Sequence, residues 1–328
     1  MHHRNCIAAL IALTIIPMEM TWAAQNGRDP AGAYPSHPIR LVVPSSPGGG
    51  TDITARLIAA KLTEQLGQQV IVDNRSGAAN LIGAEVVKRA PPDGYTLLAF
   101  AATLSSDAGT HKSLPYDLVR DFTQISETTT LPYLAVVNSA VPAQSIKELI
   151  ALAKAKPGSV SYGSSGIGGL SHLAGALLAM QSGTDLLHVP YKGGAPALSD
   201  VLAGQITMLF SSPLQASQHL KSGRIRALAA TTKNRLKSMP NLPTMIESGI
   251  PGYEVDVWNG IMGPAGVPPP IVNKIYAESR RALEAVKGQL AADGSEVIAS
   301  TPAEFAIFLK ADIAKWRKTA EFIGLRLD

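Results

Sequence analysis

Two glycine-rich loops constrain this chain more than anything else in it. Pro44-Ser-Ser-Pro-Gly-Gly-Gly-Thr-Asp52 and Tyr162-Gly-Ser-Ser-Gly-Ile-Gly-Gly169 each stand between a strand-like run and a run with helical spacing. A strand–glycine loop–helix junction directs backbone N–H groups and the positive end of a helix at one point. One such junction is a weak anion site. Two of them, in two similar halves of one chain, imply a cleft able to close on a small anion.

The flanking pattern sets the fold class. Ile39 to Pro44, Gln69 to Asn74 and Tyr95 to Phe100 read as buried strands. Helical spacing at Ile53, Leu57, Ile58 and Leu62, and again over Leu81 to Arg89, separates them. This β-α-β-α-β order predicts a doubly wound parallel α/β sheet. The middle repeats the theme, with strands at Leu134 to Asn138, Val160 to Ser164, Leu186 to Tyr191, Ile206 to Phe210 and Ile225 to Thr231. Its helices fall after Ser145, whose spacing to Glu148 fits a capping box, over Leu170 to Gln181 and over Ala195 to Ala203. A strand-like run from Val255 to Met262 and two helices close the chain. The last helix starts at Thr301-Pro-Ala-Glu304, a second capping box with Pro at the first helical position. Its stripe of Phe305, Phe308, Leu309, Ile313 and Trp316 reads as core packing.

The leader reads as an export signal, residues 1–23. Arg4 supplies the positive start, Ile7 to Ile16 the apolar run, and Thr21-Trp22-Ala23 the small-residue pattern for cleavage after Ala23 or Ala24. A membrane anchor is the competing reading, but the apolar run falls well short of the ~20 residues that a spanning helix needs. Cys6, the chain's one cysteine, lies in the leader. A mature chain without cysteine has no disulfide, zinc–thiolate or thiol chemistry. Hydrophobic residues at 46% and charged ones at 16% mark a folded globular protein. The net charge of +4 is scattered and the aromatics are sparse, which excludes a nucleic-acid surface.

The loops fit no nucleotide motif. Gly48-Gly-Gly-Thr-Asp52 lacks the Lys-Ser/Thr of a phosphate-binding P-loop, and Ser171 stands where a dinucleotide fingerprint needs Gly. Gly163-Ser-Ser-Gly-Ile167 fails the last position of a nucleophile elbow. The first loop is either an anion cradle or a tight turn capped by Thr51 or Asp52. In the second, Ser164 and Ser165 read as hydroxyl donors, and His172 as an anion donor or a structural imidazole. In Val189-Pro-Tyr-Lys-Gly-Gly-Ala195, Lys192 is a cation for a ligand or for solvent, and Tyr191 can cover an apolar part of a ligand. His172, His188 and His219 have no paired spacing, so no metal site is predicted.

Together these segments follow a family order. They are Tyr34-Pro-Ser-His-Pro-Ile-Arg-Leu-Val-Val-Pro44, the Gly-Gly-Gly-Thr-Asp52 loop, Val72-Asp-Asn-Arg-Ser-Gly77, Pro92-Asp-Gly-Tyr-Thr-Leu97 and Val189-Pro-Tyr-Lys-Gly-Gly194. Leu242-Pro-Thr244 and Trp258-Asn-Gly-Ile-Met-Gly-Pro-Ala-Gly266 complete the set. The chain resembles the Bug/TctC family, extracytoplasmic solute receptors of tripartite tricarboxylate transporters, over essentially all of its mature length.

The resemblance implies a type II periplasmic-binding-protein fold. Two doubly wound lobes, 34–130 plus 254–328 and 131–253, are joined by two crossing segments. It implies a periplasmic monomer without cofactor or enzymatic activity. Its partners are a small carboxylate ligand and the membrane components of a tripartite tricarboxylate transporter. The ligand roles carry onto Gly48, Gly49, Thr51, Asp52, Ala102 and Thr103 in the first lobe. In the second they carry onto Ser164, Ser165, Gly166, His172, Tyr191, Lys192, Gly193 and Ser211. Two departures stand out. Ser45 replaces a usual aromatic wall, and Ser211-Ser212-Pro213 stands where many members have an acid or amide. The second favours a carboxylate without an amine. Trp258 is expected near the second crossing. Two alternatives remain: a receptor that senses without transport, and a secreted hydrolase using Ser164 or Ser165.

Overall fold

The computed structural model describes residues 34–327 apart from 49, 78, 79 and 293. The expected leader, its cleavage points Ala23 and Ala24, and Gly49 lie outside the described residues.

The first sheet grows from β1 (Ile39–Val43), α1 (Gly50–Leu66), β2 (Val70–Asn74), α2 (Leu81–Lys88) and β3 (Thr96–Ala101). A short α3 (Thr103–Thr110) and a long β4 (Phe122–Pro132) follow. Strand β1 is covered on both faces, so all its residues but Arg40 are buried, as a central parallel strand requires. Helix α1 packs Ala55, Ile58, Ala59 and Leu62 inward, whereas Ile53, read as part of that stripe, is exposed on its first turn.

The second sheet is built from one continuous stretch. It runs β5 (Leu134–Asn138), α4 (Ile146–Ala155), β6 (Ser161–Ser164), α5 (Leu170–Ser182), β7 (Leu187–Pro190), α6 (Gly194–Leu202), β8 (Met208–Ser211), α7 (Pro213–Lys221) and β9 (Ile225–Ala230). The chain then returns through β10 (Asp256–Pro264), α8 (Pro269–Ala292), β11 (Glu296–Val297) and α9 (Pro302–Phe322) to the first sheet.

The strand orders are β11-β4-β10-β3-β1-β2 and β7-β6-β8-β5-β9. Each sheet has three parallel strands, β2-β1-β3 and β7-β6-β8. In each, the strand arriving from the other sheet inserts antiparallel beside the third, β10 next to β3 and β5 next to β8. The two halves therefore share one topology with little shared sequence.

Only Tyr133 separates β4 from β5, and it is stitched to the returning chain. Thr231 Oγ1 accepts from the Tyr133 N–H at 2.9 Å, and the Thr231 N–H donates to Tyr133 O at 3.0 Å. Val255 N–H then donates to Thr231 O at 3.2 Å. Next to this knot β4 and β10 form an antiparallel ribbon, with Val257 opposite Leu131 and Trp258 opposite Thr130.

Elements without a clear apolar period escape the sequence reading. Strand β4 reads Phe-Thr-Gln-Ile-Ser-Glu-Thr-Thr-Thr-Leu-Pro, yet Ser126, Thr128 and Thr129 are buried because other strands and helices cover both faces. Helix α3, Thr-Leu-Ser-Ser-Asp-Ala-Gly-Thr, has low helix propensity. Its hydroxyls bond back to the backbone, Ser105 to Ala102 O and Thr110 to Ser106 O, and it packs on α9. The capping box of α9 forms in full. That of α4 forms in part: Ser145 accepts from Glu148 N–H, but the Glu148 carboxylate takes the Gln144 N–H. The predicted α9 stripe is core, with Phe305, Leu309 and Trp316 buried and Phe308 and Ile313 packed against them.

Candidate functional site

In both sheets, helices begin at the carboxyl ends of parallel strands, the edge where open α/β sheets bind ligands. In the second sheet, α5, α6 and α7 start after β6, β7 and β8. Around their first turns lies a cavity of about 300 Å³ lined by Leu131, Tyr133, Ser165, Ser171, Gly194, Leu209, Phe210, Ser212, Gln215 and Val257. It thus lies where the crossing chain meets three helix starts.

Two of these starts are open. Gly169 and Gly193 cap α5 and α6 without any side-chain hydrogen bond, so their first N–H groups are free for an acceptor. The α7 start is closed by Ser212, which accepts from Gln215 N–H at 3.3 Å. Gly193 has φ +119°, a conformation that a side chain would strain, and open space beside it.

The glycine loops are held rigid. Ser165 N–H and Oγ both meet Ser171 Oγ at 3.0 Å. Gly166 N–H donates to Ser164 Oγ, whose hydroxyl lies 2.7 Å from His188 Nε2. Tyr191 N–H donates to Ser164 O and Gly193 N–H to Ser165 O, which lace the two loops together. The Tyr191 hydroxyl donates to Asp200 at 2.6 Å. Lys192 is exposed and has no ion pair among the described residues.

His172 differs from the anion donor expected of it. Its Nδ1 accepts the Gly168 N–H at 3.1 Å, and its ring stacks on His188 at 3.8 Å. Burial, then the neighbouring His188, lowers its pKa to about 4, so it is neutral and braces the loop. Burial likewise lowers His188. The Ser164–His188 contact resembles a nucleophile–base pair. Ser164, however, is fully buried, its hydroxyl is engaged with Gly166, and no described carboxylate orients His188.

The first loop is organised by Asp52. Its buried carboxylate accepts from Gly48 N–H at 2.8 Å, Arg56 Nε at 2.9 Å and Asn74 Nδ2 at 2.9 Å. Asn74 also reaches Ser45 O, and Arg56 reaches Asn74 Oδ1. Burial pushes the Asp52 pKa up, but bonds from Arg56, Gly48 and Asn74 outweigh it and hold the group below its ordinary value. Asp52 therefore shapes the loop. Gly48 is exposed, and Thr51 stands on the first turn of α1. After β3, Ala102 is buried and donates its N–H to Trp258 O, and exposed Thr103 opens α3 without a side-chain cap.

Of the predicted residues, Ser165 lines the cavity, with Ser164, Gly166, Gly193 and Ser211 adjoining it in chain or loop. The first-lobe set, Gly48, Thr51, Asp52, Ala102 and Thr103, does not line it and sits at the carboxyl edge of the other sheet. Sequence reading missed Ser171, Ser212, Gln215, Gly194, Tyr133, Leu131 and Val257. Gln215 matters most. The amide missing after β8 is supplied one turn later, and Ser211 Oγ donates to Gln215 Oε1 at 3.2 Å. The only available signal was the Ser212-to-Gln215 capping spacing.

The profile of the family described as tripartite tricarboxylate transporter family receptor matches residues 54–325. The UPF0065 protein of the tcbD-tcbE intergenic region of Pseudomonas sp. (strain P51) is 39% identical over 97% of each chain. The structure of R. palustris Rpa4515 with adipate is 34% identical, with a TM-score of 0.71 over 90% of this chain and all of the other. MatC from Rhodopseudomonas palustris, with bound malate, is 29% identical, with a TM-score of 0.68 over 88% of this chain and all of the other.

Proposed function

We propose a function from one premise: this chain belongs to the tripartite tricarboxylate transporter receptor family. It is a two-lobed solute-binding receptor that captures a small carboxylate and delivers it to a membrane carrier. The lobes are 34–130 plus 254–328 and 131–253, and the chain works as an exported monomer after cleavage at Ala23 or Ala24. No helix among the described residues is long and apolar enough to cross a membrane, which suits a receptor that hands its solute to separate membrane components.

The observation that carries this reading is the pair of uncapped helix starts, α5 and α6, around the cavity at the crossing. Free N–H groups and helix ends balance a carboxylate without a buried arginine. The first-lobe edge, with Gly48 held by Asp52 and with Thr51, Ala102 and Thr103 beside it, closes on the far end of the ligand. Relatives with adipate and malate support a carboxylate as the ligand class. Gln215 gives the pocket one amide, so a ligand amine is not disfavoured by the loss at Ser211 alone. The buried Ser164–His188 pair is a brace, and the protein acts by binding without turnover.

The test is a thermal-shift screen of the exported protein against carboxylates, amino acids and neutral sugars, with hits confirmed by calorimetry. A ligand at 100 times its Kd adds about 2.7 kcal/mol of stability. One-to-one binding of a carboxylate supports the reading. Turnover of generic esters, lost in Ser164→Ala, would replace it. Loss of uptake on deletion separates transport from sensing.

A further inference from the structure

The cavity at the crossing is divided. One side carries polar groups on the first turns of α5, α6 and α7, and the other is hydrocarbon. Leu131 and Val257, paired across the β4–β10 ribbon, face into it, and Leu209 and Phe210 of β8 join them. Residues alternate across a strand, and the ribbon sends the acids Glu127 and Asp256 to its rear face, towards a separate cavity behind it. Among the described residues, no lysine, arginine, histidine or carboxylate lines the front cavity.

Two side chains in this cavity hold a donor that the protein does not use. Gln215 is anchored by its oxygen, which accepts from Ser211, while its Nε2 has no partner among the described residues. Gly194 stands beside this amide: a Cβ built there would lie 3.2 Å from Nε2. Tyr133 is the single residue between β4 and β5. Thr231 Oγ1 accepts from its N–H at 2.9 Å and donates to its carbonyl at 3.0 Å, so the two crossings together place the ring. The Tyr133 hydroxyl makes no hydrogen bond among the described residues, and burial raises its pKa to about 12, so it remains a donor at neutral pH.

We propose, resting on the receptor reading, that Tyr133 and Gln215 bind the solute carboxylate together with the α5 and α6 starts, and that the solute is a carboxylate with an unsubstituted hydrocarbon body. An ionised carboxylate only accepts, and hydroxyl, amide and helix N–H groups around one cavity of about 300 Å³ offer it donors. The hydrocarbon wall decides what can follow the carboxylate. A hydroxyl on the body would be buried against Leu131, Leu209, Phe210 and Val257 without a partner. A further carboxylate there would be worse, because burying an unpaired charge costs far more than burying an unpaired hydroxyl. A methylene chain or an aromatic ring gains from the same contact. Citrate is therefore refused most strongly, and malate and tartrate less so.

Calorimetry on the exported protein tests this with adipate and benzoate against malate, tartrate and citrate. The expected result is one-to-one binding of adipate or benzoate, with citrate at least tenfold weaker. Tyr133→Phe then lowers the affinity for the bound acid about ten- to a hundredfold, the range for a hydrogen bond to a charged acceptor. The same variant melts no lower than wild type without solute, since its missing hydroxyl had no partner in the protein; a structural role would lower that Tm. Gln215→Glu keeps an oxygen for Ser211 but sets a negative charge where the amide donor stood, and it abolishes binding. Tyr133→Phe that binds like wild type, or that melts lower without solute, overturns the role of the hydroxyl. Citrate or malate binding as tightly as adipate and benzoate overturns the substrate class. Binding of malate, tartrate or citrate alone does the same and leaves the receptor reading standing, whereas binding of none of the five counts against both.

Discussion

Replacing Asp52 by alanine tests how the first loop is built. The carboxylate holds three groups, the Gly48 N–H, Arg56 and the Asn74 amide, at 2.8–2.9 Å. Arg56 is about half exposed and returns to water at little cost. The Gly48 N–H and the Asn74 amide are less free to do so. Hydrogen bonds to a charged acceptor contribute about 1.5–3 kcal/mol each, so Asp52→Ala costs roughly 3 kcal/mol. For a chain of this size that lowers Tm by several degrees and leaves the fold intact. The loop loses its brace, so carboxylate affinity falls at least tenfold in calorimetry. The pH dependence has a definite sign. The folded pKa lies below the ordinary value of 3.8, so this stability is fully present above that value and lost as pH falls through the folded one. The gap between wild type and variant should therefore shrink only in strong acid. If Asp52→Ala melts and binds like wild type at pH 7, the loop is not organised by this carboxylate and its assignment to the site falls with it.

Gly166→Leu and Gly194→Leu should each weaken solute binding tenfold or more in calorimetry. The first is strained at φ +145°, and the second puts a side chain into the cavity against the Gln215 amide. Glu127→Gln should stabilise the protein at neutral pH and leave it unchanged near pH 4. Its folded pKa is raised to about 8 from 4.5, so the native state loses stability as pH climbs between them, by roughly 3 kcal/mol at pH 7; thermal melts at several pH values read this directly. His172→Gln should flatten the loss of Tm between pH 6.5 and 4. The wild-type imidazole is held neutral in the folded state, so stability present above 6.5 is lost as pH falls towards its folded value of about 4.

Much of the fold was legible because its parallel strands are short, apolar and set between helices of clear period. Ile39–Val43, Val70–Asn74 and Leu134–Asn138 stand within a residue or two of where the pattern places them. Strand β4 was not legible, since its buried threonines and serine resemble a loop until both faces are covered. The glycine loops could be located but not apportioned. Nothing local says that Asp52 and His172 turn into the protein to brace their loops, while Ser171 and Gln215, on helical turns beyond the loops, reach the cavity or its wall. Those choices depend on Asn74 and His188, which are distant in sequence and come into place only when the strands align, with Arg56 adding a bond from the next turn of α1. Glu127 was invisible for a similar reason: a bulge, set by pairing with β10, turns it to the rear face.

The inserted strands also set an order of assembly. The second sheet uses one unbroken stretch from Leu134 to Ala230, whereas β3 and β4 have no neighbour between them until Asp256–Pro264 arrives. A chain emerging from its amino end can therefore complete its middle before its beginning, because the first sheet waits on long-range pairing. A fragment ending at residue 250 should show amide protection across 134–230 and little across 39–132 in hydrogen exchange. During export, that delay would keep the leading third of the protein loose until most of the chain had passed through.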